Sequence, residues 1–180
     1  MTRLTPVDPA TATGAVKEIF DGPLKGKHFN IFTAMANSTA AIRAYLGLSG
    51  TLGGPDALLT AAERELIQLV VGEANGCAYC VAAHTALGKG AGLTEEQTIA
   101  ARRGSVPGDA RLDALARFTA AINEKKGWVT HEDVQAFRDA GFGDGHIAET
   151  IANFALATFT NYFNHVNETE VDFPAAPALV

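Results

Sequence analysis

Helix start signals recur along this 180-residue chain and constrain its fold more than any other feature of the sequence. Thr60 is followed three residues later by Glu63, which fits a capping box, in which both side chains bind free N–H groups at a helix start. Thr94 and Gln97 repeat this pattern, and Ser38 is a suitable N-cap for a further helix. No segment alternates convincingly between apolar and polar residues, as a half-buried strand does. The sequence therefore predicts an all-α fold.

Apolar spacing, together with the Gly and Pro residues that interrupt it, indicates where the helices run. They are expected at 13–20, 30–36, 38–52, from 60, from near 77, from 94 to about 103, 109–126, from 130, and from about 144 to about 167. The last of these is apolar on nearly every side, which is typical of a helix that is central or lies at a subunit interface. The length predicts one domain over residues 1–180.

Composition excludes some classes of protein. The chain is 47% apolar and 19% charged, an ordinary mixture for a globular domain. A net charge of −6 argues against nucleic-acid binding, which requires basic surfaces. The first residues contain no apolar signal-peptide core, and the longest apolar stretch, 151–159, is too short to cross a bilayer. We expect a cytoplasmic protein, in which paired cysteines serve catalysis or metal binding more often than structure.

Both cysteines of the chain, Cys77 and Cys80, lie in one C-x-x-C motif followed by His84. In a helix that begins near Cys77, each residue turns the chain by about 100°, so Cys80 and His84 project from the same side. They are also four residues apart, which allows their side chains to meet. Leu87 shares this face, which is expected to point inward. A thiol pair and an imidazole are thereby predicted to share one side of a helix.

A carboxylate on the preceding helix is expected to join this group. Glu65 projects within about 40° of Leu69, at the edge of the apolar face, while Gln68 lies toward the polar side. A carboxylate at such an edge requires a partner. The Asn-Gly turn at 75–76 folds the second helix back on the first, which could bring Glu65 toward His84.

Two other interpretations of the cysteine pair remain open. Structural zinc has about four ligands, and the sequence offers no second C-x-x-C, so Glu65 and His84 would have to complete the site. Alternatively, Cys77 and Cys80 are small core residues without a chemical role. A thioredoxin fold is disfavoured because no strand precedes the motif. Thiol redox chemistry on a helical scaffold, with an attached proton relay, is the favoured interpretation.

The spacing Glu65-x11-Cys77-x2-Cys80-x3-His84 resembles the signature of the alkyl hydroperoxidase D-like branch of the carboxymuconolactone decarboxylase family, and in particular its peroxidase-related members. The similarity covers most of the chain and includes the stretches RELIQLVVGEANGCAYCVAAH, GLTEEQ, LARFTAAINEKKGWV, RDAGFGDGHI and TNYFNHVNETEVDFP. It implies a bundle of helices with the C-x-x-C at the N-terminus of a central helix. It also implies a homo-oligomer built on trimers, often a hexamer. No cofactor is expected.

The resemblance further implies a thiol-dependent alkyl hydroperoxidase with antioxidant activity. Cys80 would attack the peroxide and Cys77 would then condense with it to form a disulfide. His84 would take up the thiol proton and Glu65 would orient the imidazole. An external dithiol, a lipoyl group or a thioredoxin-like protein, would restore the thiols. Geometry alone also supports the reverse order, because Cys77 lies nearer the positive end of the helix.

The chain departs from the family pattern at Tyr79, where the founding hydroperoxidases have a histidine, so one candidate for the proton relay is missing. This favours the alternative function, a non-enzymatic thiol–disulfide redox switch or electron relay. Decarboxylase members generally lack the cysteine pair, so decarboxylation is not expected. Near the C-terminus His165, Asn161 and Asn164 form a family-like patch that could line the pocket or an interface, with packing as the expected role.

Overall fold

The computed structural model describes residues 2–179 and has nine α-helices and no strand in that range, which confirms the predicted all-α fold. The helices are α1 (Gly14–Asp21), α2 (Asn30–Met35), α3 (Thr39–Leu52), α4 (Ala61–Ala74), α5 (Ala78–Gly90), α6 (Glu95–Arg102), α7 (Ala110–Glu124), α8 (His131–Asp139) and α9 (Asp144–Asn167).

The predicted start signals all cap helices. The side chains of Thr60 and Thr94 each accept the N–H of the residue three positions later, and the backbone N–H of each threonine donates to the side chain of that same residue. Both capping boxes are therefore confirmed. Ser38 accepts the N–H of Ala41 at the start of α3, and Thr130 begins α8 in the same way as Thr60 begins α4. Local side-chain chemistry thus sets the positions of these four helix starts.

Helix α4 lies at the centre of the fold and packs against α5, α6, α7 and α9. Its Leu66, Ile67 and Leu69 are fully buried, and they belong to a large apolar cluster that α6 to α9 complete. A second, smaller cluster joins the first three helices to Tyr79, Cys80 and Ala83 of α5. The C-x-x-C motif therefore lies in the smaller cluster, against the N-terminal part of the chain.

Two expectations about helix faces are wrong. Gln68 is only 5% exposed rather than on a polar side, because α4 is surrounded by other helices, and its amide donates to the Asn153 carbonyl. Leu87 was expected to point inward but is 46% exposed near the end of α5. In both cases the position of neighbouring helices overrides the pattern of the single helix.

Helix α9 contacts α2, α3, α4, α5 and α7, so it takes the central one of the two predicted positions, central or at a subunit interface. One of its sides nevertheless faces solvent with large apolar residues. Within residues 2–179, no helix has both the length and the apolar character that crossing a membrane requires.

Candidate active site

The C-x-x-C motif begins α5. Cys77 is the N-cap residue, and its sulfur accepts the N–H of Cys80 at 3.3 Å. The two sulfurs form a disulfide, and both residues are almost completely buried. Gly76 has a φ of +69°, a conformation that favours glycine, and this lets the chain reverse between α4 and α5. The turn predicted at this point therefore places the sulfurs at the positive end of α5.

Glu65 and His84 meet across the two helices. Oε2 of Glu65 lies 2.7 Å from Nδ1 of His84, and the side chains are 22% and 19% exposed. The reversal at Gly76 thus brings together the carboxylate and the imidazole that the sequence places on separate helices. Since Nδ1 is engaged by the carboxylate, Nε2 remains as the nitrogen available for proton transfer.

His84 does not contact the sulfurs directly. The hydrogen bonds of the described residues include none between its ring and either cysteine. Instead Cys80 and His84 line the same cavity, which has a volume of about 330 Å³. We name this space the Cys80 cavity; its walls carry the aromatic residues Phe29, Phe32, Tyr45, Tyr79 and Phe173. A small molecule in this cavity could therefore contact both Cys80 and His84.

Cys77 lines a different cavity from Cys80. A cavity of about 540 Å³, which we name the Cys77 cavity, is lined by Cys77, by neighbouring residues of α5 and by tail residues Val171, Ala175 and Ala176. Phe173 lines both cavities. Its ring lies 4.5 Å from that of Phe29 and 5.7 Å from that of Tyr79, centroid to centroid. The two cysteines therefore line different cavities, and Phe173 contributes to the walls of both.

Tyr79 is hydrogen-bonded to the C-terminal tail. Its hydroxyl donates to Oδ1 of Asp172 at 2.7 Å, and Oδ2 of Asp172 accepts the N–H of Asn30. Burial, with the neighbouring Asp172 carboxylate as a second cause, raises the pKa of Tyr79 far above its ordinary value. The phenol therefore stays protonated, and it fixes the segment that carries Phe173.

Asn164 is the site residue that sequence reasoning did not assign. Its Nδ2 lies 3.3 Å from the sulfur of Cys80, and the side chain lines the Cys80 cavity. The patch with His165 and Asn161 was noted, but packing was the expected role. The available signal was the run of asparagines at 161, 164 and 167 on an apolar helix, since buried amides need partners.

The remaining histidines of the chain lie outside this site. His28 packs edge-on against Phe20, and His146 accepts the N–H of Gly143 at the start of α9. His165, from the family-like patch, is exposed and stacks with Tyr162. Within residues 2–179, no group of three or more His, Cys, Asp or Glu side chains is arranged to hold a metal ion.

The fold and site together define an all-helical protein with a disulfide-forming C-x-x-C. Residues 39–122 match the model of the Carboxymuconolactone decarboxylase family. This segment contains Glu65, Cys77, Cys80 and His84, so the part of the chain that carries the motif is similar to this family, and the predicted resemblance is confirmed. Asn164 and Phe173 lie outside it. No match was found among curated proteins.

Solved structures share the fold over almost the whole chain. An uncharacterized peroxidase-related protein from Ralstonia eutropha JMP134, described as an alkylhydroperoxidase AhpD core, is 22% identical with a TM-score of 0.83, over 95% of this chain and 92% of that one. A peroxidase-related protein from Silicibacter sp. TM1040 is 22% identical with a TM-score of 0.78, over 94% of each chain. The debrominase Bmp8 is 18% identical with a TM-score of 0.77, over 96% of this chain and 93% of that one. These likenesses show an AhpD-like helical fold.

Proposed function

We propose that this protein is a thiol-dependent hydroperoxide reductase. The observation that carries the proposal is the shared cavity of Cys80 and His84, in which the imidazole is held by Glu65. A thiol that reacts with peroxide must lose its proton, and the alkoxide that leaves must gain one. An imidazole across a small cavity from the sulfur can perform both transfers.

In the proposed cycle, the Cys80 thiolate attacks the terminal oxygen of the hydroperoxide and the O–O bond breaks. Cys80 becomes a sulfenic acid, and the alkoxide takes a proton from His84 to leave as an alcohol. The Cys77 thiol then attacks the sulfenic sulfur, which releases water and forms the disulfide. An external dithiol reduces this disulfide by exchange and is itself oxidised to a disulfide.

The two cavities support a division of labour between the sulfurs. Cys80 shares its cavity with His84, which suits the peroxide step, and this agrees with the role that the family resemblance implies. Cys77 lines the other cavity, so we expect an incoming thiolate to attack from there and Cys80 to leave. Because Cys77 lies nearer the helix start than Cys80, its thiol is expected to have the lower pKa of the two. A thiol that ionises readily suits the resolving and exchanging role.

The reductant is proposed to be a dithiol, either a lipoyl group or a thioredoxin-like protein. The Cys77 cavity supports this class because Cys77 lines it together with small apolar residues such as Ala78, Ala82 and Ala176, while the ion pair of Glu73 and Arg102 forms its charged wall. A slender chain with two thiols could enter it with little rearrangement. In keeping with such a partner, the expected location is the cytoplasm, where dithiol carriers are kept reduced.

We further propose a homo-oligomer built on trimers, which the family resemblance implies to be often hexameric. The exposed side of α9 supports it: this apolar stripe consists of Ala148, Ile151, Ala155, Phe159, Tyr162 and Val166. Their spacing of three and four residues places them on one face of the helix. An apolar strip along a helix is typical of a surface that a second copy of the chain covers.

The test is steady-state reduction of tert-butyl hydroperoxide with dithiothreitol as the dithiol. We expect turnover by the unaltered protein and none by Cys80→Ser, while Cys77→Ser should complete at most one turnover unless the small thiol reduces the sulfenic acid directly. Undiminished turnover in Cys80→Ser would refute the proposal. A disulfide that forms and is reduced reversibly, without peroxide turnover, would support the redox switch or electron relay instead.

A further inference from the structure

Helix α9 carries four buried asparagines, and one of them differs from the others. Three bind protein groups: Asn153 donates to the Glu149 carbonyl, Asn161 accepts from Asn75 although its own Nδ2 is buried without a partner, and Asn167 bonds to Leu4 and Thr169. Asn164 has only sulfur partners, and its oxygen Oδ1 is buried without any hydrogen bond. Packing alone does not account for an amide placed in this way.

The donor side of Asn164 points at the reactive pair. Nδ2 lies 3.3 Å from the sulfur of Cys80 and 4.0 Å from that of Cys77. Sulfur in a disulfide is a weak acceptor, whereas a hydrogen bond to a charged group is about twice as strong as a neutral one. This contact therefore stabilises the reduced, ionised form of Cys80 more than the oxidised form.

The acceptor side of Asn164 is unoccupied. A buried oxygen without a donor has lost its hydrogen bonds to water without replacement, so Oδ1 gains most from a molecule that brings an O–H. The side chain lines the Cys80 cavity and is only 4% exposed, so such a molecule would have to enter that cavity. A hydroperoxide has this O–H on its terminal oxygen, which is the atom that the thiolate attacks.

We propose that Asn164 is a catalytic residue whose amide N–H stabilises the negative charge on Cys80 while its Oδ1 accepts the O–H hydrogen of the hydroperoxide. One carboxamide then binds both reacting atoms and holds the terminal oxygen beside the sulfur. The bond to Cys80 is independent of the substrate, whereas the bond to the hydroperoxide rests on the function proposed above. No atom is transferred to or from Asn164, so the balance of the cycle is unchanged.

Other groups around Cys80 also influence the ionisation of its thiol. The ionisable groups are His84 and Tyr79 on α5, Glu65 on α4, Tyr45 on α3 and Lys27 in the loop before α2. Asn164 is uncharged and contacts the sulfur directly. Replacing it therefore changes the hydrogen bond while leaving all these charges in place.

The test measures the Cys80 thiol alone, in a Cys77→Ser background, by the pH dependence of alkylation with iodoacetamide. We expect Asn164→Leu to raise the pKa of this thiol by about one unit, which corresponds to about tenfold less thiolate at neutral pH. Asn161→Leu, which removes a buried amide from the same helix without touching sulfur, should leave it unchanged. An equal pKa in the Asn164→Leu and parent proteins would overturn the charge-stabilising role.

The isosteric Asn164→Asp variant serves if leucine prevents folding, as judged by circular dichroism. It replaces the donor with a carboxylate, so the pKa of the thiol should rise by more than one unit, and no rise would again overturn the role.

For Oδ1, we expect Asn164→Leu to lower the rate of reaction with tert-butyl hydroperoxide about tenfold at a pH where Cys80 is fully ionised. An undiminished rate there would overturn the substrate contact. Failure of the parent protein to react would count against the proposed function and leave the alkylation result to stand by itself.

Discussion

Oε2 of Glu65 and Nδ1 of His84 lie 2.7 Å apart, although the two residues belong to different helices. The carboxylate fixes the orientation of the ring and can stabilise the imidazolium that forms when His84 takes a proton. His84 therefore depends on α4 for its orientation and on α5 for its position beside Cys80.

Replacement of Glu65 should impair the chemical step more than the fold. We expect Glu65→Gln to lower the rate of thiol oxidation by peroxide by about tenfold to a hundredfold, because the neutral amide cannot stabilise the imidazolium. The rate is measured by stopped-flow fluorescence or by thiol counting. Glu18→Gln, the same change at an exposed site, is the matched control and should be without effect. Equal rates in the two variants would contradict a role for Glu65 in the relay.

Removal of the Tyr79 hydroxyl should loosen the tail and spare the chemistry. Tyr79→Phe loses the hydrogen bond to Asp172, so the free energy of unfolding should fall by about 1 kcal/mol. The segment with Phe173 should also become more sensitive to limited proteolysis, which mass spectrometry would locate. A tenfold or greater loss in the peroxide step at full thiol ionisation would instead indicate that the phenol transfers protons.

The Glu63 carboxylate should make the free energy of unfolding depend on pH. Burial alone would raise its pKa, but hydrogen bonds from the Thr60 N–H and from Arg111 outweigh this and hold the pKa below its ordinary value. A group with a lowered folded pKa stabilises the protein above the unfolded pKa, about 4.3, and loses that contribution as the pH falls through the folded value.

We therefore expect Glu63→Gln to destabilise the protein by about 1–3 kcal/mol at pH 7, and by less below pH of about 4. Urea unfolding at several pH values measures the difference, with Glu18→Gln as the control for a surface carboxylate. A difference between the unaltered protein and Glu63→Gln that stays constant from pH 7 to pH 3 would show that the charge of Glu63 contributes nothing.

The apolar stripe on α9 should hold copies of the chain together. Val166 is 66% exposed in the isolated chain, and Val166→Glu places a charge at the C-terminal end of the proposed contact. Light scattering should show a smaller assembly for this variant, whereas Gln135→Glu, on the exposed side of α8, should keep the parent mass. An unaltered mass in Val166→Glu would place the interface elsewhere.

Local signals were sufficient for the helices and for the meeting of Glu65 with His84. The capping boxes at Thr60 and Thr94 fixed helix starts, and the Asn-Gly turn at 75–76 reversed the chain as expected. Such local signals do not predict which residues from distant parts of the chain lie near the sulfurs. Asn164 and Phe173 approach from about ninety residues away, and only the packing of α9 and the course of the tail place them there.

Contacts with distant parts of the chain explain why the expectations for Gln68 and Tyr79 differ from the structure. Gln68 looks like a surface residue when α4 is considered alone, but α9 covers it. Tyr79 appeared to be a missing histidine in a relay, and its actual contact with Asp172 depends on a segment that begins almost a hundred residues later. Helix periodicity describes one helix, whereas exposure depends on all its neighbours.

Single-turnover oxidation of the fully reduced protein tests the central claim most directly. Reduced protein is mixed with one equivalent of tert-butyl hydroperoxide in a stopped-flow instrument, and free thiols are counted after quenching. The account predicts that two thiols disappear for each peroxide consumed, that the Cys77–Cys80 disulfide forms, and that Cys80→Ser consumes no peroxide. Persistence of both thiols in the unaltered protein, or equal peroxide consumption by Cys80→Ser, would contradict it.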